Sequence, residues 1–140
     1  MMTRTQEIAA KLERVRGWMD DQGLEVLVLR RIASLAWMTA GATTYVVTAN
    51  GEGPVTGVVT TDGAWLLTNT IEGPRLIEEE QLPELGWEVV THPWYDGAGA
   101  PTPASVSGRA LTPETAGADV PFGDTRNVGD AISRLRSRLL

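Results

Sequence analysis

The sequence predicts an α/β fold: a mixed sheet of about six strands flanked by helices. Three observations predict it. Val26-Leu27-Val28-Leu29 is an unbroken apolar run. A strand with one wet face would alternate, so this one reads as a strand buried on both faces. Both ends of the chain carry helical periodicity, through Ile8, Leu12, Val15 and Met19 and through Val128, Ile132, Leu135 and Leu139. Between them lie β-branched segments separated by turn residues. The order helix, strand, helix, three strands, helix, strand, loop, strand, helix gives a sheet with an antiparallel meander, packed by helices.

Each element has its own signal. The first helix covers residues 5–22, with Thr3 and Gln6 at capping-box spacing and Gly23 as its stop. The Val26-Leu27-Val28-Leu29 strand leads through Arg30 and Arg31 into a short helical pattern closed by Gly41. Thr43-Thr44-Tyr45-Val46-Val47-Thr48 reads as a strand, and Asn50-Gly51-Glu52-Gly53-Pro54 as a turn. Residues 55–60 and 64–68 form two strands joined by the hairpin turn Thr61-Asp62-Gly63. A helix lies within residues 71–81. Pro74 suits its first turn, with a start near Gly73, while Asn69 with Glu72 offers an earlier cap. Residues 87–91 form the next strand. Residues 92–117 are poor in apolar side chains and carry Pro93, Pro101, Pro103 and Pro113. They read as a long loop with room for a short helical turn, and a loop of that length is either mobile or functional. Val120-Pro121-Phe122 is a short strand, placed at an edge because proline cannot donate to a ladder. The last helix begins near Asn127 with Asp130 at box spacing and runs on without a stop, as though leading into a further domain. The domain proper thus spans residues 1–126, with residues 127–140 as the helix that leaves it.

Totals narrow the function classes. At 140 residues and 42% hydrophobic content the chain is long enough for one domain with its own core. No apolar run approaches a membrane span, and the N-terminus lacks the basic-then-apolar pattern of a signal peptide. Cysteine is absent, which removes disulfides and thiol chemistry and fits a cytoplasmic protein. The net charge is −6. Its acid excess lies in residues 32–108, where Arg75 is the single basic residue. Nucleic-acid binding needs a clustered basic face, so nucleic acid is not expected as a partner. Gly51-Glu52-Gly53-Pro54 lacks the spacing of a phosphate loop, and its proline removes a donor.

The strand, turn and short helix that end in Trp37-Met38-Thr39-Ala40-Gly41 resemble the opening of the creatinase, prolidase and aminopeptidase P N-terminal domain. In that family an Asn-x-x-Tyr-Leu-Thr-Gly-Phe pattern occupies this place, and the order of elements agrees from about Thr5 to the last residue. The resemblance implies a ribonuclease H-like topology. It also implies a missing C-terminal pita-bread catalytic domain, in which carboxylates and a histidine hold two divalent metals (Mn, Co or Zn) that activate a bridging water. This chain is then a non-catalytic N-terminal domain of an Xaa-Pro peptidase or creatinase-like hydrolase, with no catalytic residue, cofactor or metal site of its own. It would contribute to a homodimer and to the entrance of the active site.

Several residues are candidates for proximity to substrate. Arg30 and Arg31 follow a buried strand at its C-terminal end, where open α/β sheets bind ligands. A guanidinium there can grip a carboxylate, or form a structural ion pair with the acidic middle segment. His92, the sole histidine, and Trp94 belong to an aromatic cluster, His92-Pro93-Trp94-Tyr95-Asp96, that can line a pocket or anchor a loop. Tyr45, Asn69, Glu72 and Arg75 enter through the resemblance, which implies that loops near them reach a neighbouring subunit's active site. Trp37 and Trp65 sit in apolar segments and read as core. Glu78-Glu79-Glu80 reads as a solvated helix face. A nuclease built on this topology would need an acid at the centre of the Val26-Leu27-Val28-Leu29 strand, and none is there. The competing function is a free-standing interaction module of the same fold, in which the 92–117 loop and the acidic middle recognise a basic partner.

Overall fold

A computed structural model describes residues 3–39, 56–69, 87–92, 102–120 and 123–138. Helix α1, Arg4–Gln22, is closed at both ends by local chemistry. Thr3 Oγ1 accepts from Gln6 N at 3.1 Å, and Gln6 Oε1 accepts from Thr3 N at 2.9 Å. That pair satisfies two donors that the first turn would leave orphaned. Gly23 ends the helix at φ 71°, a left-handed conformation that glycine adopts without a Cβ penalty. Strand β1, Val26–Leu29, is buried at every position. Helix α2, Ile32–Met38, follows at once. It stops at Thr39 rather than Gly41, with the Thr39 hydroxyl and amide both donating to Leu35 O at 2.7 and 3.1 Å.

The remaining strands are β2, Thr56–Thr60, β3, Ala64–Asn69, β4, Glu88–His92, β5, Ala116–Ala118, and β6, Arg126–Asn127. They form one sheet in the order β4-β3-β2-β1-β5-β6. The β1–β2 and β2–β3 pairs are antiparallel, while β3–β4, β1–β5 and β5–β6 are parallel. Among the described residues every strand except β2 therefore points the same way, and five C-terminal ends share one edge of the sheet. The predicted hairpin at Thr61-Asp62-Gly63 joins β2 to β3, with Thr60 N donating to Gly63 O at 3.0 Å. The predicted strand at residues 43–48, the turn at 50–54 and the helix within 71–81 lie outside the described residues.

Two expectations shift in the second half, and the short helical turn allowed within residues 92–117 is found. Of the strand expected at Val120-Pro121-Phe122, Pro121 and Phe122 lie outside the described residues and Val120 is not in a strand; the strand described in this region is Ala116–Ala118, and it is interior, between β1 and β6. Its Ala-Gly-Ala sequence has poor intrinsic strand preference. Pairing with β1 and β6 holds it in place, and the site is tight: a Cβ on Gly117 would sit 3.1 Å from Leu24 Cδ1 and 3.2 Å from Val128 Cγ1. The 92–117 segment contains helix α3, Pro103–Ser107, capped by Thr102 and Ser105. Helix α4, Gly129–Arg138, starts two residues later than expected because Arg126 and Asn127 pair with β5 first. Asn127 Oδ1 then accepts from Gly129 N at 3.0 Å, rather than from Asp130.

The core has two layers. On one face of the sheet, Ile8, Val15 and Met19 of α1, Leu35 of α2 and Ile132 of α4 pack on Leu27, Leu29, Val59 and Leu66. Trp87 completes this layer fully buried, its Nε1 donating to Met38 O at 3.3 Å. On the other face Val26, Val28, Val58, Leu67, Ala116 and Ala118 cluster beneath Val106 of α3 and Leu111. Trp37 and Trp65, expected in the core, are only half-buried at its rim. No helix among the described residues is long and apolar enough to cross a membrane.

Candidate functional site

The shared edge of strand C-termini is where the sequence-derived candidates that fall within the described residues gather. β1 leaves the sheet through Arg30 and Arg31, and their backbone amides meet a single carboxylate. Arg30 N donates to Asp119 Oδ1 at 2.8 Å and Arg31 N to Asp119 Oδ2 at 3.0 Å. Asp119 is 1% exposed. Its own amide donates to Val28 O at 3.2 Å, extending the β1–β5 ladder by one step. Val128 N donates to Ala118 O at 2.9 Å, so the start of α4 is tied to the same place. A Cβ on Gly129 would come within 2.6 Å of Asp119 O, which requires glycine there. A buried carboxylate holding two amides is a strong, oriented arrangement. It sets the direction in which the chain turns from β1 into α2.

The two backbone amides thus meet Asp119, which lies outside the acidic middle segment; much of that segment, where an ion-pair partner for either guanidinium is expected, lies outside the described residues. Asp119 was not among the sequence-derived candidates. The available signal is an acid immediately after Ala116-Gly117-Ala118, hidden because those residues read as the end of a loop. Asn69 and His92 end β3 and β4 and are register partners. They lie on the same edge as Arg30, two and three strands from β1, on the order of 10 and 14 Å away. The structure thus forms two pairs rather than one constellation. Tyr45, Glu72, Arg75 and Trp94 lie outside the described residues.

A metal centre does not fit the described residues. No group of three among His, Asp and Glu converges in them. Glu88, four residues before His92, starts the strand that His92 ends, roughly 13 Å away at strand rise.

The opposite edge carries another organised polar group. Arg16 of α1 reaches the β2–β3 hairpin, where Nε donates to Thr60 O at 2.8 Å and Nη2 to Gly63 O at 3.0 Å. Burial lowers the Arg16 pKa, opposed in part by the attraction of Asp62. Asp62 is held below its ordinary 3.8, chiefly by the hydrogen bond from Thr60 and secondarily by its own backbone amide, Arg109 and Arg16. This cluster clips a helix to a hairpin and presents no reactive pair.

The family follows from comparison with known proteins. Residues 11–120 match the Creatinase/Prolidase N-terminal domain model. The chain belongs to that family. No curated protein sequence matches it significantly. Among solved structures it is similar to an Xaa-Pro dipeptidase from Bacillus anthracis, with TM-score 0.52 and 16% identity over 95% of this chain and 31% of that one. It is similar to the aminopeptidase P of Streptococcus thermophilus, with TM-score 0.53 and 14% identity over 91% of this chain and 84% of that one. An Xaa-Pro aminopeptidase from Streptococcus pyogenes gives TM-score 0.51 and 14% identity over 94% and 86%. At these identities the likeness is one of fold. This creatinase/prolidase N-terminal domain spans about a third of the Bacillus anthracis dipeptidase chain.

Proposed function

We propose that this domain is the non-catalytic N-terminal part of a metal-dependent Xaa-Pro peptidase, of aminopeptidase P or prolidase type, or of a creatinase-like hydrolase. It supplies dimer contacts and part of the active-site entrance. The divalent metals, Mn, Co or Zn, belong to a C-terminal pita-bread domain, and the assembled protein acts in the cytoplasm. The observation that carries this reading is the family match over residues 11–120. Fold likeness to an Xaa-Pro dipeptidase and to two Xaa-Pro aminopeptidases supports it by analogy.

In this arrangement the edge bearing Arg30, Arg31, Asn69 and His92 faces the substrate path, as ligands in open α/β sheets lie beyond the C-terminal ends of strands. The test incubates the purified 140-residue chain with Mn²⁺, Co²⁺ or Zn²⁺ and a panel of Xaa-Pro dipeptides and Xaa-Pro-Yaa tripeptides, with calorimetric metal titration alongside. The expected result is neither turnover nor stoichiometric tight metal binding. Turnover that survives repurification would place a complete active site within these residues and overturn the reading.

A further inference from the structure

Between the C-terminal end of α1, the turn after β1 and the start of α4 lies an open cleft of about 390 Å³, which shares Arg31 with the edge described above and is otherwise separate from that edge. Trp18, Arg31, Arg126, Asn127, Asp130 and Arg134 line it. Three arginines from three separate elements therefore meet around one concavity, against a single acid. The net charge of the chain is −6, so the cleft is opposite in sign to the protein as a whole.

Arg126 is fixed in place. Its Nε donates to Pro113 O at 3.0 Å, Nη1 to Gln22 O at 3.2 Å and Nη2 to Glu114 O at 2.9 Å. All three acceptors are neutral carbonyls, so these bonds hold the guanidinium without cancelling its charge. Arg31 enters from a backbone pinned by Asp119, and its side chain is exposed. Arg134 projects from α4 and has a further interaction of its own. Trp18 of α1 is half-buried and gives the cleft an apolar wall.

We propose that this cleft binds a small oxyanion, a carboxylate or phosphate group, between the Arg31, Arg126 and Arg134 side chains. Like charges around one concavity repel, and an anion among them removes that repulsion while gaining charge-assisted hydrogen bonds. The planar fork of arginine matches the geometry of both oxyanions. Polar side chains dominate the lining of this open cleft, which suits a small charged group rather than a large apolar ligand. The inference does not rest on the peptidase reading, and its test uses no peptide substrate.

The chain is titrated with inorganic phosphate and, separately, with succinate at constant ionic strength, followed by calorimetry and by backbone amide shifts. Saturable one-to-one binding is expected, with the largest shifts at Arg31, Asn127 and Asp130. Arg31→Gln and Arg134→Gln are both surface changes, and their unliganded melting temperatures verify that they fold. Each should weaken binding about tenfold, as loss of one charged hydrogen bond does. The tighter of the two probes identifies the oxyanion. Absence of saturation with both probes, or affinity unchanged in both variants, would overturn the proposal.

Discussion

Asp119 shows how much one residue decides here. Its carboxylate accepts two backbone amides while almost wholly buried, so truncation leaves two donors without an acceptor. Asp119→Ala should destabilise the domain by about 3 kcal/mol. Asp119→Asn keeps one acceptor and should lose less. Urea midpoints with an unchanged m-value check both. Asp62 gives a pH-dependent counterpart. Its folded-state pKa is depressed, so its stabilising contribution is present above the unfolded carboxylate value and is lost as pH falls through the folded one. Thr60 Oγ1 lies 2.8 Å from Asp62 Oδ1 and is the largest cause of that depression. Thr60→Val should therefore move the Asp62 titration upward, toward 3.8, in a carboxyl NMR titration. An unmoved titration would assign the shift to the neighbouring arginines instead.

At the scale of elements, legibility follows how local the cause is. α1 was readable to within a residue because its capping box, apolar stripe and terminal glycine all lie in its own sequence. The β2–β3 hairpin was readable for the same reason, through Thr61-Asp62-Gly63. β5 is not, since Ala-Gly-Ala has weak strand preference of its own and becomes a strand through parallel pairing with β1 and β6. α4 starts two residues later than its cap signal at Asn127 indicates, because Asn127 pairs with β5 first. The β6–α4 junction also demands glycine. Gly129→Ala would press a methyl group against the Asp119 carbonyl, 2.6 Å away, and this backbone contact can give only if the junction moves. A loss of about 1–3 kcal/mol is expected by chemical denaturation, typical of overpacking. Wild-type stability in that variant would mean that the junction relaxes freely.

Across the whole molecule, β1 is the member on which both layers depend. Leu27 and Leu29 face the three-helix layer, while Val26 and Val28 face the smaller one. Leu27 is 0% exposed, and Leu27→Ala should cost about 2–5 kcal/mol by opening a cavity beneath the helices. Amides of β1 should be the slowest to exchange with solvent, because the strand is paired on both edges and covered on both faces. Faster exchange in β1 than in α1 would show that the sheet opens before the helix detaches. The candidate sites belong to this scale too. Arg30, Arg31, Asn69 and His92 come to one edge only because every described strand but β2 runs in the same direction. The cleft beside Trp18 likewise needs α1, β6 and α4 placed together.

The sequence by itself determined the α/β class, the buried strand β1, the periodic helices at both ends and the family resemblance. Each depends on spacing or turn chemistry within a few residues. Only the tertiary structure decided that Ala116–Ala118 is an interior strand, that Asp119 is the acceptor for Arg30 and Arg31, and that three arginines share one cleft. Those outcomes join residues separated by about ninety positions or more along the chain in the Asp119 and Arg126–Gln22 contacts. Sequence periodicity records which face of an element is buried. It does not record which distant group will meet that face.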